Sequence, residues 1–192
     1  MGEKYIFNNE FNLEDKFIYV SSPASKSKKK FVQKEEYIEN TYNEEIKDFD
    51  YISIITKEKY NDGVTVRVKC SFDTFGAPLI VITDDCRTLE DGCYQYGLHF
   101  EVVAYENGCN VWHIVPGKED KNPIDVTKVN AIEFQIEDKS LIDMEVTIKD
   151  KKMFIHVNNQ SLVAEHKDIP EQMHVGITAC EGINQFYKFE VE

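Results

Sequence analysis

Long apolar runs and positive charge are both scarce in this sequence of 192 residues. No stretch approaches the roughly 18 consecutive apolar residues that a membrane helix needs, and residues 1–4 lack the charged-then-apolar order of a secretion signal. The 35 acidic residues outnumber the 22 basic ones, and the formal net charge of −13 would repel a phosphate backbone. We therefore expect a cytoplasmic protein that binds neither membranes nor nucleic acids.

Paired cysteines and the common catalytic motifs are absent. The chain has no Cys-x-x-Cys pair, Walker loop, dinucleotide fingerprint, His-Glu-x-x-His motif or Gly-x-Ser-x-Gly elbow. Disulfide-framework, nucleotide, redox, metalloprotease and serine-hydrolase readings therefore lack support, and no cofactor is expected. We expect five reduced cysteines, most of them small core residues: Cys70, Cys86, Cys93, Cys109 and Cys180.

Apolar residues are plentiful and alternate with polar ones along most of the chain. Hydrophobic residues make up 42% of it, with 12 Phe and 10 Tyr, which is enough to build a core. The period of two is typical of half-buried strands. It is clearest over residues 64–72, over residues 94–105 followed by the turn signal Asn107-Gly108, and over residues 144–157 with a turn at Asp150-Lys151.

About a dozen strands with frequent turns predict an all-β protein, a sandwich or a barrel, formed by a single domain over residues 1–192. Residues 21–50 interrupt the pattern with a lysine-rich loop and an acidic stretch, and we interpret them as a loop-rich insertion or an irregular edge. Further strands are predicted over residues 17–20, 51–56, 79–83, 131–136, 161–165, 173–179 and 185–191.

The order of these strands and turns resembles the concanavalin A-like lectin and glucanase superfamily over roughly residues 50–192. The resemblance rests on residues 55–68 with the turn Asn61-Asp62-Gly63, on the long strand 94–102, on the hairpin 144–159, and on the closing strands with His174-Val175-Gly176-Ile177 and Phe186-Tyr187-Lys188-Phe189. It implies a two-sheet antiparallel jelly roll whose concave sheet carries the ligand site. It does not imply any one activity.

The hairpin at Asn107-Gly108 predicts which side chains share a face, because directly opposed residues point the same way. With that turn, Glu101 opposes Ile114 and His99 opposes Pro116. The core face then carries Tyr94, Tyr96, Leu98, Phe100, Val102 and Ala104 with Val111, His113 and Val115, and the other face carries Gln95, His99, Glu101, Asn110 and Trp112.

Polar groups beside the only tryptophan suit a sugar, which stacks on an aromatic ring and hydrogen-bonds through its hydroxyls. An ordinary solvent-facing surface is the alternative. We predict an oligosaccharide ligand on the concave sheet, with Arg67 of an earlier strand on the same sheet as a further contact. The predicted ligand-binding residues are Gln95, His99, Glu101, Trp112 and Arg67.

Catalysis is a second hypothesis for the same protein. The turn at Asp150-Lys151 places Glu145 opposite His156, as an acid/base unit or as a simple surface pair. Laminarinase-like members of the superfamily carry Glu-x-Asp-x-Glu, and here Leu141 stands where their nucleophile would be. An inverting glycosidase or a polysaccharide lyase would instead use Glu101 and Glu145, with His99 or His156 as acid or base.

Two further interpretations stay open. Asp84, Asp85 and Asp91 flank one loop and offer enough carboxylates for calcium, although solvated acidic loops are common at this net charge. The protein could also be a protein-interaction module with no small ligand, which would present a shallow, convex polar face. The sequence does not indicate an oligomeric state.

Overall fold

The computed structural model describes residues 2–25, 29–42, 51–119 and 122–192, and nearly all of its regular structure is β. Among these residues, no helix has the length and apolar character required to cross a bilayer. The elements in chain order are β1 (Glu3–Ile6), α1 (Leu13–Lys16), β2 (Phe17–Ser21), β3 (Val32–Gln33), β4 (Ile38–Glu39), β5 (Tyr51–Thr56), β6 (Tyr60–Asn61), β7 (Thr65–Asp73), β8 (Ala77–Thr83), β9 (Cys86–Thr88), β10 (Tyr94–Tyr96), β11 (His99–Tyr105), β12 (Gly108–Glu119), β13 (Asn122–Glu133), β14 (Ile142–Lys149), β15 (Lys152–Val157), β16 (Gln160–Glu165), β17 (Gln172–Cys180) and β18 (Ile183–Val191).

The strands form two sheets. The eight-stranded sheet has the order β16-β15-β14-β7-β18-β4-β3, with β1 also paired to β18. The ten-stranded sheet has the order β13-β12-β11-β8-β17-β5-β2-β10-β9, with β6 also paired to β17. Described pairs are antiparallel except for the short parallel contact of β10 with β2. The predicted two-sheet antiparallel jelly-roll sandwich is confirmed.

The main core lies between the sheets and follows from the alternation. Val66 and Val68 of β7 point into it from one sheet, and Phe100 and Val102 of β11 from the other. Cys70 and Cys109 are fully buried there, as small core residues, whereas Cys93 is exposed.

Most predicted strands are present, with two differences. The predicted strand 94–105 is two strands, β10 and β11, separated by Gly97 and Leu98. The strand predicted over residues 131–136 begins much earlier, because β13 pairs with the long β12 from residue 122 onwards. In the region 21–50, the short strands β3 and β4 form an irregular edge, and residues 26–28 and 43–50 lie outside the described residues.

The ten-stranded sheet curls over its own outer face. Five strand-to-strand steps separate β11 from β10, which in a flat sheet would place them about 24 Å apart. Only Gly97 and Leu98 lie between Tyr96 and His99, and such a link spans about 11 Å at most. The sheet must therefore bend back on itself, and its outer face is the concave one.

This curl changes the burial of the strands. In β5 and over most of β8 and β11, consecutive residues are buried, so both faces of these strands are withdrawn from water. The strands of the eight-stranded sheet instead alternate between buried and solvent-accessible residues, as β14 and β15 do. One outer face of the sandwich is thus enclosed and the other is solvated.

Candidate functional site

The β11–β12 hairpin brings Glu101 and Trp112 directly opposite each other on the concave face. The predicted register paired Glu101 with Ile114 and is wrong by two residues, because Glu106 and Asn107 form the turn. Gly108 already belongs to β12, with a φ of +142°, and a Cβ atom there would lie 2.1 Å from the Ile132 carbonyl oxygen. A slip of two residues preserves the facing of every side chain, so the two residues share a face as predicted.

A cleft of about 660 Å³ opens on this face. It crosses β5, β17, β8, β11, β12 and β13, and residues of the turns beside these strands complete it. Its lining is mostly apolar, with a few polar groups, which is the composition of small-molecule sites. Its polar and aromatic lining includes Tyr51, Phe75, Glu101, Asn110 and Trp112, and its apolar lining includes Leu79, Val103, Ile114 and Val126.

Glu101 is a buried carboxylate, 8% exposed, held by a neighbouring phenol. The Tyr51 hydroxyl donates to Glu101 Oε1 over 2.6 Å. Burial, followed by the charge of Glu101, raises the pKa of Tyr51 well above its usual value, so the phenol remains a donor. No hydrogen bond to the second carboxylate oxygen comes from the described residues, so this oxygen can accept from a ligand hydroxyl.

His99 lies beside Glu101 and is almost fully buried. Its Nδ1 is 3.0 Å from the Gly97 carbonyl oxygen, which can only accept, so Nδ1 carries the proton. Its Nε2 lies 3.4 Å from Glu101 Oε1 and makes no hydrogen bond within the described part of the chain. The predicted neighbours His99, Glu101 and Trp112 therefore come together on one face.

Tyr96 also belongs to this concave face, which corrects its predicted core position. Its ring stacks on His99 at a centroid distance of 4.5 Å, and its hydroxyl is 2.6 Å from Ser53 Oγ. Ser53 in turn lies 2.6 Å from Thr178 Oγ1. These bonds hold β10 over the sheet. The break at Gly97 and Leu98 inverts the facing, so Tyr96 joins His99 instead of Phe100.

Trp112 and Asn110 give the cleft a ring and an unpartnered acceptor. The Trp112 indole packs against a buried cluster on the concave face that includes Leu79 and Val103. The Lys128 ammonium lies 4.9 Å from the centroid of the Trp112 ring. Asn110 Oδ1 is buried and has no hydrogen-bond partner among the described residues. Since unsatisfied buried acceptors are costly, a ligand donor at this position would be favourable.

Phe75 contributes a second exposed ring at the cleft and was not predicted. It is 60% exposed and lies in the turn between β7 and β8, where Thr74 and Phe75 have φ values of 52° and 50°. Such values are rare for β-branched and aromatic residues and store strain that the surrounding structure must hold. The only sequence signal was a bulky ring in a short turn before Gly76. The sequence also did not predict Tyr51 as a residue of the site. All six residues of β5 are buried, so the strand has no polar face by which the direction of Tyr51 could be recognised.

Two predicted ligand-binding residues lie elsewhere. Gln95 is on β10 and accepts from Arg87 of β9, outside the cleft. Arg67 is on β7, in the eight-stranded sheet, where its guanidinium pairs with Glu145 and Glu192. The prediction that β7 and β11 share one sheet is therefore wrong, because alternation identifies a strand but not the sheet it joins.

The second pair of catalytic candidates lies on the solvated face. Glu145 and His156 are directly opposed on β14 and β15, as predicted, and line a separate cleft of about 520 Å³ with Arg67. His156 Nδ1 is 2.8 Å from Ser161 Oγ. Glu101 and Glu145 face outward from opposite sheets, so they cannot flank one glycosidic bond as an inverting pair.

The three aspartates considered for calcium do not converge: two accept hydrogen bonds from backbone N–H groups, and the third is exposed. Asp85 Oδ2 accepts from the Leu98 backbone N–H and packs against Gly97. Asp91 Oδ1 accepts from the Cys93 N–H, and Asp84 is exposed. They form no cluster within the described residues, where the one group of three converging metal-binding side chains is His113, His166 and Asp168.

No protein-family model matches this chain, and no curated protein matches it in sequence. Solved structures do match its fold. A legume lectin-like domain from Entamoeba histolytica has a TM-score of 0.59 at 13% identity, with 98% of this chain and 96% of that one covered. Carbohydrate-binding module CBM66 from Bacillus subtilis has a TM-score of 0.60 at 9% identity, covering 82% and 89% of the two chains.

β-Agarase B from Zobellia galactanivorans is a third similar structure, with a TM-score of 0.64 at 8% identity over 93% of this chain and 85% of that one. At such identities the likeness concerns the fold alone. The fold of this protein is thus the concanavalin A-like jelly roll that its strand order resembled.

Proposed function

We propose that this protein binds a neutral oligosaccharide in the cleft on its concave face. The observation that carries the proposal is the pairing of Trp112 with Glu101 across the β11–β12 hairpin, inside a face that the sheet encloses. The indole offers an apolar surface to sugar C–H groups, and the carboxylate accepts from hydroxyls.

Charge favours a neutral sugar over an acidic one. Among the described residues that line the cleft, none is Lys or Arg, whereas Glu101, Glu106 and Glu181 are acidic. A uronic or sulfated chain would bring negative charge beside the buried Glu101 carboxylate, and no basic side chain among these lining residues would offset it. The ammonium of Lys128 lies over the Trp112 ring but is outside this lining. The overall charge of −13 acts in the same direction.

The similar folds support the proposed ligand class. Two of them are named as a carbohydrate-binding module and a legume lectin-like domain, and a third as a β-agarase. The enclosed face also differs from the shallow, convex surface expected of an interaction module. A sugar in the cleft would satisfy Asn110 Oδ1, which otherwise lacks a donor within the described structure.

A fluorescence titration tests the proposal, because Trp112 is the only tryptophan. The panel holds neutral oligosaccharides of glucose, galactose, mannose and fructose, with uronic oligosaccharides for contrast. We expect a saturable Trp112 response to at least one neutral sugar. Glu101→Gln should weaken that response, and the matched variant Glu145→Gln on the other face should not. The absence of any response, or equal loss in both variants, would contradict the proposal.

Turnover is a separate outcome of the same experiment. If new reducing ends or unsaturated products appear during incubation and vanish in Glu101→Gln, the cleft is catalytic and not merely a binding site. The contact of His99 Nε2 with Glu101 Oε1 is the feature that would then be tested next. Binding without products over hours would support the proposed function as stated.

A further inference from the structure

A cluster of two histidines and an aspartate lies behind the candidate cleft. His113 is on β12, next to Trp112 in sequence, and its side chain points to the opposite face of the strand, toward Phe100. His166 and Asp168 come from the turn between β16 and β17. Each of the three offers one ligand atom, and these atoms all lie within 4.8 Å of one another.

The separations approach those of a metal site. His113 Nε2 lies 3.5 Å from Asp168 Oδ2, and His166 Nδ1 lies 3.8 Å from the same oxygen. Ligand atoms around a tetrahedral Zn²⁺, with bonds of about 2.0–2.2 Å, are about 3.4 Å apart. A small inward movement of the turn would therefore bring all three atoms within bonding distance of one ion.

His113 lacks any other partner for the nitrogen that faces this cluster. Its Nε2 is buried and makes no hydrogen bond in the part of the chain that the structure describes. In the tautomer that leaves Nε2 unprotonated, its lone pair is available to an ion. In the other tautomer, its N–H makes no hydrogen bond within the described residues.

Contacts within and beside the cluster hold the other two groups. The Asp168 backbone N–H donates to His166 Nδ1 over 3.3 Å, which identifies this atom as the nitrogen with the lone pair, and an ion bound there would replace that hydrogen bond. Lys167 lies 3.5 Å from Asp168 Oδ1, so the second oxygen, Oδ2, faces the histidines. Outer contacts of this kind orient ligands in metal sites.

The turn that carries them is anchored to the β14–β15 hairpin. The His166 backbone N–H donates to the Lys151 carbonyl oxygen over 3.2 Å, and Lys151 Nζ donates to the Ile169 carbonyl oxygen over 2.6 Å. Ile169 is fully buried. Two of the three ligands therefore sit on a short segment that is fastened at both ends.

We infer that His113, His166 and Asp168 form a binding site for a divalent first-row transition-metal ion, of which Zn²⁺ is the best fit. Two imidazoles and one carboxylate are ligands that Zn²⁺ accepts, whereas Ca²⁺ and Mg²⁺ prefer an all-oxygen shell. Three protein ligands would leave one position of the ion for water. The inference is independent of the proposed sugar site, because the two lie on opposite faces of β12.

The alternative is that the cluster serves packing alone. The rings of His113 and His166 lie 4.2 Å apart, and both contact Phe100. In that case Asp168 would pair with a protonated histidine and no metal would bind. A titration with ZnCl₂ separates the two cases, with Cys93→Ser as the background because Cys93 is an exposed thiol that could bind the ion.

We expect the Cys93→Ser protein to bind one Zn²⁺ per chain by calorimetry and to melt at a higher temperature with Zn²⁺ than without it. CaCl₂ and MgCl₂ at the same concentration should do neither. His166→Gln and Asp168→Asn should each weaken Zn²⁺ binding by at least about 100-fold, the upper end for loss of an outer-shell partner. Both residues are partly exposed in a turn, so these variants should still fold.

The matched control is His156→Gln, which removes a histidine from the eight-stranded sheet and should leave Zn²⁺ binding unchanged. Substituting Co²⁺ should give visible bands of a nitrogen and oxygen site, without thiolate-to-cobalt charge transfer. No Zn²⁺ binding, equal binding by the cluster variants, or a thiolate spectrum would each overturn the inference.

Discussion

The two outer faces of this sandwich are built from the same strand pattern but meet water differently. On the eight-stranded sheet, Arg67 is 38% exposed and pairs with Glu145, which is 35% exposed. On the ten-stranded sheet, the Glu101 side chain is 10% exposed and is held by a tyrosine instead of a cation. The first face resembles an ordinary solvated surface, and the second resembles the interior of a protein.

The difference shows how a sheet can prepare a binding site. A carboxylate among solvated charges is screened and contributes little to stability, as is typical of surface ion pairs. Glu101 is withdrawn from water before any ligand arrives, so its hydrogen bonds are stronger and less of its hydration must be lost on binding. The curl that folds β10 over the sheet is the physical origin of this contrast.

The two faces should differ most at their aromatic residues. Trp112→Ala should weaken binding of the best neutral oligosaccharide by about 2 kcal/mol, or about 30-fold, because it removes the ring on which the sugar stacks. Phe154→Ala deletes a 40% exposed ring from the other face and should change the affinity less than twofold. Calorimetric titration of both variants checks this. Comparable losses would show that the faces do not differ as binding surfaces.

The next effect concerns the carboxylates. Tyr51→Phe removes the donor to a buried Glu101 and should lower the free energy of unfolding by about 1–3 kcal/mol. Arg67→Met breaks the exposed pair with Glu145 and should cost at most about 1 kcal/mol. Urea denaturation of the two variants measures both values. If Arg67→Met lowered the free energy of unfolding more than Tyr51→Phe did, the burial of Glu101 on the concave face would be contradicted.

Substitution of Phe75 tests whether the turn between β7 and β8 is strained and contributes to the cleft. Phe75→Asn places a residue that tolerates positive φ where Phe75 has a φ of 50°, and should raise the free energy of unfolding by about 1 kcal/mol. It should also weaken sugar binding about fivefold, since an exposed ring is lost from the cleft. Urea denaturation tests the expected gain in stability, and calorimetric titration of the same preparation tests the expected loss of sugar affinity. A variant that loses stability would show that the turn is not strained.

The smallest expected effect is at Lys128. Its ammonium lies over the Trp112 ring, and an exposed contact of this type is worth about 0.5 kcal/mol. Lys128→Met should therefore strengthen sugar binding about twofold, because the sugar no longer competes with the cation for the ring. Weaker binding in the calorimeter would instead make Lys128 a ligand contact.

Local pairing was the most predictable part of the structure. The Glu145–His156 register is confirmed, because Asp150 and Lys151 both adopt positive φ in a two-residue turn. The facing of Glu101 and Trp112 was predicted in spite of a wrong turn, since a slip of two residues leaves facing unchanged. The strand order also carried the correct resemblance to the jelly roll.

Sheet membership and local breaks were not predictable. Nothing in the alternation of β7 shows that Arg67 belongs to the sheet opposite Glu101, since that depends on long-range pairing. The facing of Tyr96 differs from the predicted one because Gly97 and Leu98 leave strand geometry. Their backbone N–H groups donate to the carbonyl and carboxylate oxygens of Asp85, which lies between β8 and β9. Tyr51 could not be assigned because both faces of its strand are buried.

Hydrogen–deuterium exchange with and without a saturating neutral oligosaccharide tests the central contrast most directly. We expect slower amide exchange in β11, in β12 and in the turn at Phe75 when sugar is bound, with no change in β14 and β15. Slower exchange confined to β14 and β15, where Glu145 and His156 lie, would place the site on the solvated face and contradict sugar binding on the concave face.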